Sequence, residues 1–322
     1  MSMNNQGAPT AHLLTSTPIA SRDFFARVEG VDLSGTIDEA TFAAILAAFD
    51  RYAILHFPGQ RLTQEQQVAF AKCFGELEVI NLSLAIDGGP RPVLPELTRV
   101  SNLTKDGSRI RDDDDPVLKF SRGNLLFHTD SSYQHVQSKC SLLYAIKVPS
   151  EGGNTEYADL RAAYDDLPSE TKDKVEDLIV EHSVLHSRSK IGFSDFPESV
   201  KAAHPPAHQV LVRLLEGSGR KSLYLASHAS HVVGWPVEEG RKLIAELIEY
   251  ATQPKYVHSH RWAPGDLVMW DNRCTMHRGT PIANRQEPRL LHRATVRDIG
   301  NSVELAKRRA GISSFGPTGT RA

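Results

Sequence analysis

Four short runs, "CSLLYAIKV" (140–148), "VLVRLL" (210–215), "SLYLA" (222–226) and "LVMWD" (267–271), are rich in β-branched, aromatic and aliphatic residues. They are set apart by Gly/Pro turns, notably "EGSGRK" and "APGD". Strands this short bury their apolar faces only by packing against other strands or helices, so the pattern predicts a sandwich or barrel of antiparallel strands. Helices flank it. Phe42, Ile45, Leu46 and Phe49 recur at helical spacing within 38–51, "AILHFPG" (53–59) reads as a short buried strand, and Thr63 with Gln66 fits a capping box for a helix that stops near Gly75. Helical patterns return at 159–181 and at 236–251, the latter opened by Pro236 and carrying Leu243, Leu247 and Ile248 on one face. The predicted class is mainly β with flanking helices.

The chain has 322 residues with 40% hydrophobic content, enough for a substantial core. No repeat and no linker divides it, so residues 21–300 read as one domain between a flexible tail at 1–20 and a C-terminal tail at 301–322. The stretch 187–206 lacks periodicity and reads as a mobile loop of the kind that serves as a lid. With 37 basic against 39 acidic residues, the formal charge of −2 gives no broad electrostatic reason to expect nucleic acid or an anionic membrane. Cys73, Cys140 and Cys274 form no C-x-x-C pair and fit a reducing compartment. Neither a secretory signal nor a membrane-length apolar run is present, so the expected location is cytoplasmic.

In "FHTDSSY" (127–133), His128 and Asp130 lie two positions apart, and in an extended strand both point to one face while Thr129 points to the other. The plainer reading is a strand that happens to carry polar side chains, because H-x-D alone is common. A third ligand would change that, and His277 in "WDNRCTMHRG" is the best placed, beyond a strand and a turn that return the chain to the same sheet. "HSH" (258–260) has the same spacing with no adjacent carboxylate, and "HASH" (228–231) is off-register for a strand, so both read as structural. Two imidazoles and one carboxylate leave positions open on a redox metal for a chelating co-substrate and oxygen. A catalytic zinc with three protein ligands is the rival.

In "RLLHRATVRDI" (289–299), alternation puts Arg289 and Arg293 on one face, about 13 Å apart at ~3.3 Å per residue. Turned inward, two guanidinium groups need anions to compensate their burial; on an edge strand both would simply sit in water.

Together "NLLFHTDSSYQ", "RAAYDDLP", "HASHVVGWPVEEGRKLIAELIEYATQ" and "HRWAPGDLVMWDNRCTMHRGT" resemble the Fe(II)/2-oxoglutarate dioxygenases of the taurine dioxygenase and 2,4-dichlorophenoxyacetate dioxygenase family, and the phenoxyacetate branch above all. The resemblance runs from about Phe24 to Ile299. It implies a double-stranded β-helix, or jelly roll, with His128, Asp130 and His277 holding Fe(II). By position, Thr155 and Arg289 would bind the distal carboxylate of 2-oxoglutarate, Arg293 the acidic group of the prime substrate, Asn124 would line the substrate site, and Trp270 would pack beside the distal histidine. The implied partners are a small anionic organic substrate and further copies of the chain, as a dimer or tetramer. The implied reaction consumes O2 and 2-oxoglutarate, releases succinate and carbon dioxide, and hydroxylates the substrate; an aryloxyacetate hydroxylated beside its ether oxygen would break into a phenol and glyoxylate. A sulfonate, an alkyl sulfate or another small carboxylate is the alternative within the family. From other classes, a zinc hydrolase or a non-catalytic binding module could use the same three ligands. The sequence departs from the phenoxyacetate branch in "GGNT" (152–155), where Asn154 replaces an aspartate, in the acidic run Asp112 to Asp115, and in the placement of Lys105.

Overall fold

The computed structural model describes residues 15–79, 94–104, 122–284 and 286–311, together with residues 107, 108, 110 and 118. Its largest sheet takes seven strands in the order β1-β2-β3-β13-β5-β15-β4. These are β1 (Thr15–Pro18), β2 (Phe25–Glu29), β3 (Ile54–Phe57), β4 (Leu97–Ser101), β5 (Ser138–Lys147), β13 (Leu267–Asp271) and β15 (Leu290–Arg297). All neighbours are antiparallel except β2 and β3. A three-stranded sheet orders β12 (Val257–His260), β6 (Thr155–Asp159) and β14 (Thr275–Gly279). A second one orders β11 (Ala229–Val232), β7 (Ile179–His182) and β8 (Ala207–Val210), and β9 (Val212–Leu214) pairs with β10 (Lys221–Leu223). The helices are α1 (Glu39–Tyr52), α2 (Gln64–Lys72), α3 (Leu160–Asp165), α4 (Ser169–Val175), α5 (Val184–Ser189), α6 (Glu198–Ala203), α7 (Val237–Ala251) and α8 (Ser302–Ala310). The class is mainly β with flanking helices, as the sequence predicts.

Strand β13 explains how the large sheet is covered on both faces. Leu267 and Met269 join Phe49, Phe57, Phe70 and Phe74 in the core formed with α1 and α2, while Val268 and Trp270 join Leu143, Tyr157 and Leu291 on the opposite face. A strand buried on both faces reads as an unbroken apolar run, which is why "LVMWD" lacks alternation. On α1, Ile45, Ala48, Phe49 and Tyr52 are buried, and complete burial of each large apolar side chain contributes roughly 1.5–3 kcal/mol. The helix begins where Asp38 accepts a hydrogen bond from the Thr41 amide and ends at Ala53, which takes the left-handed conformation and donates back to the Phe49 carbonyl. The capping box of Thr63 and Gln66 opens α2.

Several sequence-based boundaries move. The run 159–181 holds two helices and then strand β7, and 210–215 is split between β8 and β9. Within 187–206, read from the sequence as a loop, lie the end of α5 and the short helix α6. Residues 302–310, read as tail, are helix α8: Asn301 caps it, and Val303 packs with Ile179 and Val210. Residues 15–18 of the expected N-terminal tail form β1. The acidic run Asp112 to Asp115 and Lys105 lie outside the described residues. Among the described residues no helix is long and apolar enough to cross a membrane.

Candidate metal centre and active site

His128 and His277 are brought together by their own backbones. The His128 amide donates to the His277 carbonyl at 3.0 Å, and the His277 amide returns the bond at 2.8 Å. This single bridge ties the 127–134 segment to β14. The extended conformation expected through 128–130 does not continue: after His128 the chain turns, and Ser131 adopts a positive φ of 53°. Thr129 is directed away from the metal-binding side, and its hydroxyl lies 2.9 Å from the Leu225 carbonyl and 2.8 Å from that of Thr275.

The turn brings the Asp130 carboxylate between the two imidazoles. His128 Nε2 is 3.9 Å from Asp130 Oδ1, and His277 Nε2 is 3.8 Å from Asp130 Oδ2. His128 Nδ1 lies 2.8 Å from the Leu126 carbonyl, an oxygen that can only accept, so Nδ1 carries the proton and Nε2 presents a lone pair. Burial holds both imidazoles neutral, pushing His277 down to about 3 and lowering His128 as well. Burial alone would raise Asp130, but Arg293 and the two histidines outweigh it and hold the carboxylate below its ordinary range. Two neutral imidazoles and an ionised carboxylate, all buried and converging, form a donor set that fits a divalent transition metal.

Asp130 is itself held by groups that the sequence did not single out. Ser141 Oγ donates to Asp130 Oδ2 at 2.7 Å, Ser138 Oγ donates to its carbonyl at 2.7 Å, and Asn272 Nδ2 donates to Ser141 Oγ at 2.9 Å. Asn272 Oδ1 accepts from the Asp130 amide at 3.3 Å and from Trp270 Nε1 at 2.9 Å. Such partners fix the rotamer of a ligating carboxylate. The signal that could have revealed them is polarity out of place: Ser141 and Asn272 are fully buried beside apolar strand residues.

A cavity of about 1370 Å³ opens onto this centre, and Asn124, Thr155, Trp270, Arg289 and Arg293 all line it. Trp270 is fully buried and packs its ring 4.7 Å from that of His277, consistent with packing rather than chemistry. Arg289 enters just before β15, held by its amide donating to Asn102 Oδ1 at 2.8 Å and by Ser101 Oγ donating to its carbonyl at 2.8 Å. Burial pushes its guanidinium down to about 10, so it stays charged at neutral pH, and among the described residues no carboxylate pairs with it. The turn before Thr155 passes close by: Gly153 has φ of +65°, and a Cβ there would come within 3.4 Å of Arg289 Nε.

Arg293 also faces the cavity, but one arm of its fork is engaged, with Nη1 donating to Asp130 Oδ1, while its buried Nε has no hydrogen-bond partner among the described residues. Glu78, another lining residue, accepts from Ser131 Oγ at 2.8 Å and is raised to about 7 by burial. Among the described residues the triad is matched by a second buried group, His56, His260 and Asp266, whose ligand atoms also lie within 4.8 Å of one another and could hold a metal, although the sequence reads "HSH" as structural. His260 of "HSH" does have a carboxylate beside it, Asp266 at 3.4 Å, supplied by the turn that follows rather than by its own strand. His228 of "HASH" is buried behind His128, with ring centroids 6.2 Å apart.

Residues 15–295 match the family model described as taurine catabolism dioxygenase TauD, TfdA family. Over 288 residues the chain is 43% identical to an alpha-ketoglutarate-dependent 2,4-dichlorophenoxyacetate dioxygenase of Burkholderia sp. (strain RASC), covering 88% of this chain and 94% of that protein. It is 45% identical over 279 residues to the enzyme of the same name from Cupriavidus pinatubonensis, covering 85% and 95%. Among solved structures, AAD-2 in complex with Mn(II) and N-oxalylglycine superposes with a TM-score of 0.81 at 42% identity, covering 90% of this chain and 98% of that one. The chain belongs to the TauD/TfdA dioxygenase family.

Proposed function

We propose that this protein is an Fe(II)- and 2-oxoglutarate-dependent dioxygenase that hydroxylates an aryloxyalkanoate, such as 2,4-dichlorophenoxyacetate, at the carbon beside the ether oxygen. The hemiacetal so formed collapses to a phenol and glyoxylate. One observation carries the reading: a single cavity joins a cation-holding triad to a buried guanidinium that has no acid partner among the described residues. A zinc hydrolase needs the first feature and has no use for the second. The aryloxyalkanoate is favoured by the substrates in the names of the relatives. The double-stranded β-helix is the finer description of the fold that goes with this reading, and a homo-oligomer is the assembly.

His128, Asp130 and His277 would hold the iron, which when bound supplies the oxygen activation that no side chain can provide. Arg289 and Thr155, which line the same cavity, would bind the distal carboxylate of 2-oxoglutarate and orient its keto acid end toward the triad. Arg293, whose Nε is unpaired among the described residues, would meet the carboxylate of the aryloxyalkanoate. Ser141 and Asn272 keep the Asp130 carboxylate in its rotamer. The test is succinate formation by purified protein with Fe(II), 2-oxoglutarate and O2, screened against aryloxyalkanoates, sulfonates and alkyl sulfates. Succinate release stimulated most by an aryloxyalkanoate, with stoichiometric phenol, is the expected result. Full turnover with zinc in the absence of oxygen would overturn the dioxygenase reading.

A further inference from the structure

Thr155 does not stand alone in the cavity wall. Trp262 Nε1 donates a hydrogen bond to Thr155 Oγ1 at 3.0 Å, and both residues are buried. Trp262 belongs to neither the triad nor the cavity lining. Behind it, the His260 ring meets the indole edge-on with centroids 4.7 Å apart, and His260 in turn sits in T-shaped contact with His56 at 4.7 Å. Asp266 closes the group: Oδ1 lies 2.9 Å from His56 Nε2, Oδ2 lies 3.4 Å from His260 Nε2, and Oδ2 also accepts from the Ala263 amide at 2.8 Å. The short "HRWAPGD" segment is thereby clamped at both ends. His260, the last residue of β12, pairs in register with Thr155 of β6, and Trp262 follows two residues later.

A threonine hydroxyl has one proton to give and two lone pairs. With one lone pair taken by the indole N–H, the hydroxyl cannot rotate freely, and its own proton is left to donate elsewhere. An O–H that accepts a hydrogen bond is also polarised into a better donor. We propose that Trp262 is a positioning residue for the co-substrate: it fixes and polarises the Thr155 hydroxyl so that Thr155 donates to the carboxylate held by Arg289. The inference rests on the 2-oxoglutarate reading above and deepens it.

The experiment is calorimetric titration of 2-oxoglutarate into protein loaded with Mn(II), using wild type, Trp262→Phe, Thr155→Val and the double variant, with the melting temperature of each. Trp262→Phe keeps an aromatic ring and removes the donor. It should weaken 2-oxoglutarate about three- to tenfold, the loss of roughly one hydrogen bond, and leave the KM for the aryloxyalkanoate unchanged. In the Thr155→Val background the same change should cost nothing further, because Trp262 acts only through the hydroxyl. If Trp262→Phe fails to fold, β-(3-benzothienyl)alanine at position 262, which has the shape of tryptophan with sulfur in place of N–H, carries the same prediction. Equal losses in both backgrounds, or a lowered melting temperature with unchanged 2-oxoglutarate affinity, would overturn the proposal and leave the dioxygenase reading standing. Wild type that binds no 2-oxoglutarate would overturn the reading itself.

Discussion

Arg289 and Arg293 look alike in sequence and differ in what meets them. Arg289 is buried with no acid partner among the described residues, so an anion entering the cavity would compensate its charge. Arg289→Ala should therefore weaken 2-oxoglutarate about ten- to hundredfold, since a charge-assisted pair contributes roughly 1.5–3 kcal/mol, and calorimetry on the Mn(II)-loaded protein reads this directly. Arg293 shares Asp130 with the metal centre, so its removal tests two functions at once. Arg293→Ala should retain one metal per chain by atomic absorption and lose most of kcat/KM for an aryloxyalkanoate, with little further loss for the corresponding neutral ester. Lysine at 293 should rescue only part, because it keeps the charge without the fork. Equal losses for acid and ester would mean that Arg293 serves Asp130 rather than the substrate. Strand alternation put both arginines on one face and left open whether that face turned inward or to water; the Asp130 contact was not legible at all, because it depends on a turn that the H-x-D spacing does not reveal.

Among the elements, α7 shows where local preference and packing disagree. Leu243 and Leu247 of its apolar face were legible from the 3.6-residue period and Pro236 marks the start, whereas Ile248, read with them, is only half-buried and the buried Ile244 was not singled out. Gly240 in its first turns looks like a flaw, since alanine is better by about 1 kcal/mol in a helix interior. The structure reverses that judgement: a Cβ at 240 would lie 2.6 Å from the Val232 amide nitrogen of β11, a backbone atom that cannot swing aside. Gly240→Ala should destabilise the protein despite its helix propensity, and a lower urea midpoint with unchanged slope is the expected measurement. The elements hidden from the sequence share a cause. Helices α5, α6 and α8 have 6, 6 and 9 residues, too short for a period to stand out. Their placement comes from partners distant in sequence, as when Asn301 Nδ2 donates to the His135 carbonyl at 2.7 Å and Ser302 Oγ to Gln209 Oε1 at 2.6 Å.

For the whole molecule, the consequence of this packing is a set of buried histidines that resist protonation. His182 in β7 is fully buried, stacks on Tyr224 with ring centroids 5.6 Å apart, and among the described residues has no hydrogen-bond partner on either nitrogen. Burial pushes it down to about 3, with His186 and Lys190 adding to the effect. In the unfolded chain a histidine titrates near 6.5. Between about pH 6.5 and 3 the unfolded state therefore takes up a proton that the folded state refuses, and stability falls as pH falls across that window. His277 adds to the same trend when no metal is bound, since burial also pushes it to about 3. His182→Phe keeps the stacked ring and removes both unsatisfied nitrogens, so it should be at least as stable as wild type at pH 7. It should also lose less stability between pH 7 and pH 4, the difference being on the order of a few kcal/mol. Urea unfolding of chelator-treated protein at the two pH values measures this, and parallel losses in wild type and variant would show that His182 finds a partner on folding that its surroundings do not suggest.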